Sequence, residues 1–147
     1  MIIAMLALAA AAPACGTLDA RLPRDLAGWT RAGTTLDTGH AVTLAAGRGK
    51  AAETRVTIRK AGLFGIAADQ QAWIDVYPAR GARAFEMASE SKGPYCSTIR
   101  KIVRYRLRPG TYRVTATKLT APRVKLMLAH DQPGNPHEVL RRHRRYR

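Results

Sequence analysis

Four histidines, two cysteines and ten acidic residues are the side chains from which this 147-residue chain could build a metal centre or an activated nucleophile. His40, His130, His137 and His143 form no HxH, HxxxH or HExxH spacing, the patterns that bring two ring nitrogens to one metal. A centre would have to be gathered by the fold from His40, His130 and Asp75, two imidazoles and a carboxylate, the donor set that suits non-haem iron. No Gly-x-Ser-x-Gly elbow surrounds Ser89, Ser91 or Ser97, and Cys96 lacks a recognisable partner histidine motif, so nucleophilic hydrolysis has no support. Gly47-Arg-Gly-Lys50 lacks full P-loop spacing and reads as a hairpin turn between two strands. For paired-carboxylate chemistry, Asp75, Glu86 and Glu90 are the candidates within the body. Glu86 and Glu90 share strand parity and read as ion-pair partners in an arginine-rich chain. Asp75 alternates with Trp73 and Tyr77 while Ile74 and Val76 take the other face; it is either a wet-face residue paired to an arginine or a buried acceptor organising a turn. No catalytic residue, metal or cofactor is assigned.

The first fourteen residues are apolar and uncharged and end in Ala12-Pro13-Ala14. They are too short for the ~20 residues of a membrane-spanning helix and suit a signal peptide cleaved between Ala14 and Cys15, although the amino terminus is the leader's only positive charge. A periplasmic or extracellular protein beginning at Cys15, with no transmembrane helix, is the expectation. A buried Ala-rich helix is the alternative. Cys15 then has two readings. It pairs with Cys96, closing a loop that stabilises by about 4 kcal/mol in the chain-entropy model. Or Ala12-Pro13-Ala14-Cys15 is a degenerate lipobox, Cys15 is acylated as a lipoprotein anchor, and Cys96 is free.

The formal charge of +15 requires a partner or a medium. It concentrates in Arg141-Arg142-His143-Arg144-Arg145-Tyr146-Arg147 and between Arg100 and Arg113. In the cytoplasm such charge would point to nucleic acid. Outside, it points to lipid headgroups, lipopolysaccharide phosphates and polysaccharide, so no nucleic-acid partner is expected unless the export signal is wrong. Arg-rich codon usage giving an ordinary soluble surface is the competing explanation.

The elements that must position these residues are strands. After a loop-like lead-in over 15–30, anchored by Leu22, Leu26 and Trp29, short strand signals recur at His40–Ala45, Glu53–Arg59, Ala61–Ala67, Ala72–Tyr77, Ala84–Ala88, Lys101–Leu107, Thr111–Thr117 and Arg123–Leu128, with Glu53–Arg59 alternating cleanly between polar and apolar, and are separated by Gly/Pro turns. About eight such strands without a convincing amphipathic helix between them predict an all-β, antiparallel β-sandwich of jelly-roll type over 31–130. Residues 131–147 form a basic tail, disordered or a short helix at His137–Arg141. The clearest hairpin is Lys101–Leu107 and Thr111–Thr117 about a type II turn at Arg108-Pro109-Gly110. With Leu107 facing Tyr112 and Arg106 facing Arg113, it points Val103, Tyr105, Leu107, Tyr112, Val114 and Ala116 inward. Outward it sets a stripe of Arg104, Arg106 and Arg113 with Arg108 at its end. Opposed like charges are relieved by carboxylates such as Asp75 or Glu86 on neighbouring strands, or by a bound anion, and the stripe is the candidate anion-binding site.

Four features from Val56 to Leu128 resemble the bacterial pre-peptidase C-terminal (PPC) domain. They are the strand entering Ala61-Gly62-Leu63-Phe64-Gly65, the aspartate of Trp73-Ile74-Asp75-Val76-Tyr77, the Leu-x-Pro-Gly-Thr-Tyr-x-Val segment at Leu107–Val114, and the last strand at Val124–Leu128. The resemblance implies a secreted accessory β-sandwich without catalysis, here with no enzyme domain attached. The chain is also similar to short exported stand-alone proteins, some labelled homogentisate 1,2-dioxygenase. That label implies a small metal-dependent enzyme with iron held by two histidines and a carboxylate.

Overall fold

A computed structural model of the chain describes residues 14–131. The leader up to Pro13, and the linker, helix and arginine run expected beyond Asp131, with His137 and His143, lie outside the described residues. Eight strands follow a 3₁₀ helix at Arg24–Thr30: β1 (Ala41–Ala45), β2 (Ala52–Ile58), β3 (Gly62–Ala68), β4 (Trp73–Pro78), β5 (Ser89–Ser91), β6 (Lys101–Leu107), β7 (Gly110–Thr117) and β8 (Arg123–His130). They form a five-stranded sheet, β1-β8-β3-β6-β5, and a three-stranded sheet, β2-β7-β4, every pairing antiparallel. The predicted sandwich is the observed architecture.

Only β5 and β6 are consecutive strands that pair. Each other connection carries the chain from one sheet to the other. This corrects two readings. Gly47–Lys50 turns the chain between sheets and is not a hairpin turn. Likewise β6 and β7 are not hairpin partners: β6 lies between β3 and β5, and β7 lies between β2 and β4. At that corner Gly110 adopts φ 153, a backbone conformation closed to residues with a Cβ, and the Tyr112 hydroxyl donates 2.6 Å back to the Arg108 carbonyl.

The inward set is nonetheless as predicted. Val103, Tyr105, Leu107, Tyr112, Val114 and Ala116 all lie in the main core, with Val56, Phe64, Ile66, Val76 and Leu126. Period-two burial identifies which face of a strand is dry, and it is the same whether two strands share a ladder or face one another across a core.

The expected strand at Ala84–Ala88 is absent and β5 starts at Ser89. The Phe85 N–H donates to the Val76 carbonyl of one sheet, and the Ala88 N–H donates to the Arg104 carbonyl of the other. The segment therefore bridges the two sheet edges and forms no ladder with either.

A second core lies on the other face of the five-stranded sheet. Leu26 and Trp29, with Leu22 partly buried, cover Ala67, Ile102, Met127 and Ala129, as the anchoring role read for the lead-in requires. Covered on both faces, β3 is buried almost throughout, which is why GLFGIAA reads as a continuous apolar run. Gly28 lets the lead-in approach this closely, since a Cβ there would stand 2.6 Å from the Gly39 carbonyl carbon. Gly28→Ala is expected to cost about 1–3 kcal/mol through this backbone clash, read as a lowered denaturation midpoint.

Candidate functional site

The structure joins Cys15 to Cys96, with Cα atoms 5.3 Å apart at a sequence separation of 81. Of the two readings of Cys15 it has the bonded one. Beside the bond, the Asp19 N–H donates to the Cys96 carbonyl at 3.0 Å, and the Asp19 carboxylate accepts from the N–H and hydroxyl of Thr98 at 2.7 and 2.6 Å. The Trp29 indole N–H donates to the same hydroxyl at 2.9 Å. A covalent and a polar latch thus hold the lead-in to the loop before β6. Sequence reading found the cysteines but not Asp19 and Thr98, whose pairing has no local pattern.

The four arginines read as one stripe are dispersed. Arg104 is buried, 4 % exposed, with Nε 2.8 Å from Asp131 Oδ2 and Nη1 donating to Ser91 Oγ at 2.7 Å. Its face of the five-stranded sheet was taken to be wet, but at Arg104 that face is covered. Arg113 pairs with Glu53 at 3.1 Å, donates to the Gly81 carbonyl at 2.6 Å and lies over the Tyr77 ring. Directly across the ladder from it stands Arg55, so Glu53 relieves the like-charge opposition. The neutralising carboxylates are Asp131 and Glu53, not Asp75 or Glu86. Asp131, assigned to the tail, is instead buried and continues β8, its N–H donating to the Leu63 carbonyl.

Arg106 and Arg108 are exposed. Register shows what surrounds them: Ile58 is opposite Gly110, Gly62 opposite Leu107 and Pro78 opposite Tyr112. The β2–β3 turn, the β6–β7 corner and the exit from β4 therefore lie at one end of the sandwich, the end that carries Arg59, Lys60, Arg80, Arg106 and Arg108. All five are exposed. Among the described residues every Lys and Arg except Lys101, Arg104, Arg113 and Lys125 is exposed, whereas of the carboxylates only Glu53, Glu86 and Glu90 are. Asp19 and Asp131 are bonded as described, and Asp69 accepts from the Lys125 N–H at 3.1 Å. Asp37 accepts from the Gly39 N–H, the Thr35 hydroxyl and the His40 ring. Desolvation raises its pKa, but these hydrogen bonds outweigh it and hold the carboxyl below its ordinary value.

His40 thus belongs to the Asp37 turn, while His130 stacks on Phe64 with ring centroids 4.7 Å apart. Neither is brought to Asp75, and among the described residues no three His, Cys, Asp or Glu side chains form a metal-sized group. Asp75 is on the outer side of β4 with Trp73 and Tyr77, as predicted, but it makes no ion pair to an arginine among the described residues. It lines a cavity of about 150 Å³ with Trp73, Phe85, Met87, Glu90 and Tyr105. Glu90 pairs with Lys101 at 3.1 Å, as the ion-pair reading expected, whereas Glu86 lies in the bridging segment and not on a shared strand face. The Tyr105 hydroxyl donates 2.9 Å to the Ile74 carbonyl, and burial, then Asp75 and Glu90, push this phenol well above its ordinary range. No family model, curated protein or solved structure matches the chain.

Proposed function

We propose that the protein is an exported, non-catalytic β-sandwich that binds an anionic envelope surface, whether lipid phosphate, lipopolysaccharide or acidic polysaccharide, through the cations at the β2–β3 and β6–β7 end. The carrying observation is the division of charge: among the described residues all but four of the Lys and Arg side chains are exposed, whereas six of the nine carboxylates are half-buried or buried. Each Lys or Arg near an anionic leaflet contributes about 1 kcal/mol within a Debye length of about 10 Å. Export is supported by the apolar leader and by the Cys15–Cys96 bond, since structural disulfides persist in oxidising compartments. A relative of the PPC sandwich fits the same reading: the motifs that carry that resemblance fall on β3, β4, the β6–β7 corner and β8.

Co-sedimentation with phosphatidylglycerol and phosphatidylcholine vesicles tests this. The protein is expected to bind the anionic vesicles at low salt, to be released at high salt, and to ignore the zwitterionic ones. Replacing Arg59, Lys60, Arg106 and Arg108 together by Gln is expected to weaken binding by about 100-fold or more, from the contribution of each cation. Arg113→Gln alone should have a far smaller effect, because that guanidinium already serves Glu53 and Gly81. Binding that survives both high salt and the quadruple substitution would sink the proposal.

A further inference from the structure

The open edge of the sandwich between β4 and β5 has the opposite character to the basic surface. β4 ends the three-stranded sheet and β5 ends the five-stranded one, and the segment between them spans the gap. The free edge of β4 is closed by capping: the carbonyls of Ala72, Ile74 and Val76 accept from Lys101 Nζ, the Tyr105 hydroxyl and the Phe85 N–H. What stays open is the cavity beside that edge. Three of the five exposed large hydrophobic residues among those described stand at it: Trp73 at 55 %, Met87 at 50 % and Phe85 at 38 %. Apolar surface gathered in this way marks a contact site.

Two carboxylates, Asp75 and Glu90, and the Lys101 side chain share the cavity. Lys101 is committed to Glu90 and to the Ala72 carbonyl. Asp75 makes no ion pair among the described residues, in a chain of net charge +15. Strand alternation sets Asp75 on the same face as Trp73, roughly 7 Å along β4. The Trp73 ring already receives a cation, with Lys118 Nζ 4.8 Å from its centroid.

We propose that this cavity binds a small free quaternary ammonium cation of the choline type. Its methyl groups lie against Trp73, Phe85 and Met87, and its charge is met by Asp75. A methylated ammonium is weakly hydrated and gains from aromatic faces, whereas a metal ion needs a cluster of oxygen or nitrogen donors that the described residues do not form. A volume of about 150 Å³ fits one such head, since an apolar cavity of that size holds a benzene-sized group. The site is independent of the basic end and takes the opposite charge.

Tryptophan fluorescence of the oxidised protein, titrated with choline chloride against sodium chloride at matched ionic strength, reads this binding through Trp73, because Trp29 is fully buried in the second core. Calorimetry with 3,3-dimethyl-1-butanol, the uncharged carbon isostere, separates charge recognition from greasy contact. Choline is expected to saturate, its isostere to bind at least about tenfold more weakly, and Trp73→Ala and Asp75→Asn each to weaken choline about tenfold with the thermal midpoint retained. The proposal is overturned by any of three results: no saturable response to choline, equal affinity for the isostere, or unchanged affinity in Asp75→Asn.

Discussion

Asp131→Ala is expected to lower the unfolding free energy by about 3–5 kcal/mol, the cost of breaking a buried ion pair. The substitution leaves the Arg104 guanidinium inside the protein with Ser91 as its remaining side-chain hydrogen-bond acceptor, and both members of the pair are almost fully buried. For a domain of this size the thermal midpoint should fall by roughly 10–20 °C. The double substitution Arg104→Met with Asp131→Leu is expected to recover most of the loss, because removing both charges also removes their desolvation penalty. Urea denaturation of the three proteins checks this: a loss below about 1 kcal/mol in Asp131→Ala, or no recovery in the double variant, contradicts a desolvated pair. Arg104→Gln should likewise change stability while leaving vesicle binding of the folded protein intact, since its side chain does not reach the surface.

Loss of the Cys15–Cys96 bond is the second large effect. Freeing a loop of 81 residues is expected to lower stability by about 4 kcal/mol, chiefly by enlarging the unfolded ensemble. The native fold should persist, because Asp19 and Trp29 still bind Thr98 and Leu26 still fills the second core. In the Cys15→Ser/Cys96→Ser variant Trp29 should therefore keep a buried emission spectrum while the denaturation midpoint drops. Adding Thr98→Ala should then release the lead-in and shift that emission to the red. A midpoint unaffected by removing the bond would show that the lead-in contributes nothing to cooperative unfolding.

The two arguments bear on how legible the protein was in its sequence. Seven of the eight strands stand close to where short apolar or alternating runs between Gly/Pro turns placed them, because such runs are written in consecutive residues. The eighth was misplaced because Ala84–Ala88 has the composition of a strand but spends its N–H groups bridging two sheet edges. The candidate site was less legible. Arg104 and Arg106 differ by two positions and share a strand parity, yet one is sealed against Asp131 and the other is exposed. Nothing local distinguishes them. What does is that Ser91 of β5 and Asp131 after β8 close over Arg104.

By itself the sequence determined the class of fold, the inward face of nearly every strand, the anchoring apolar residues of the lead-in, the pairing open to its two cysteines and the excess of positive charge. These are properties of composition and of short-range spacing. Only the tertiary structure decided that β6 and β7 belong to different sheets, that one arginine of the stripe is buried and another is tied to Glu53, and that Trp73, Asp75 and Glu90 meet at one cavity. Each depends on contacts between residues far apart in the chain. A strand's dry face is encoded locally, but its neighbour is chosen by whichever distant segment completes the core.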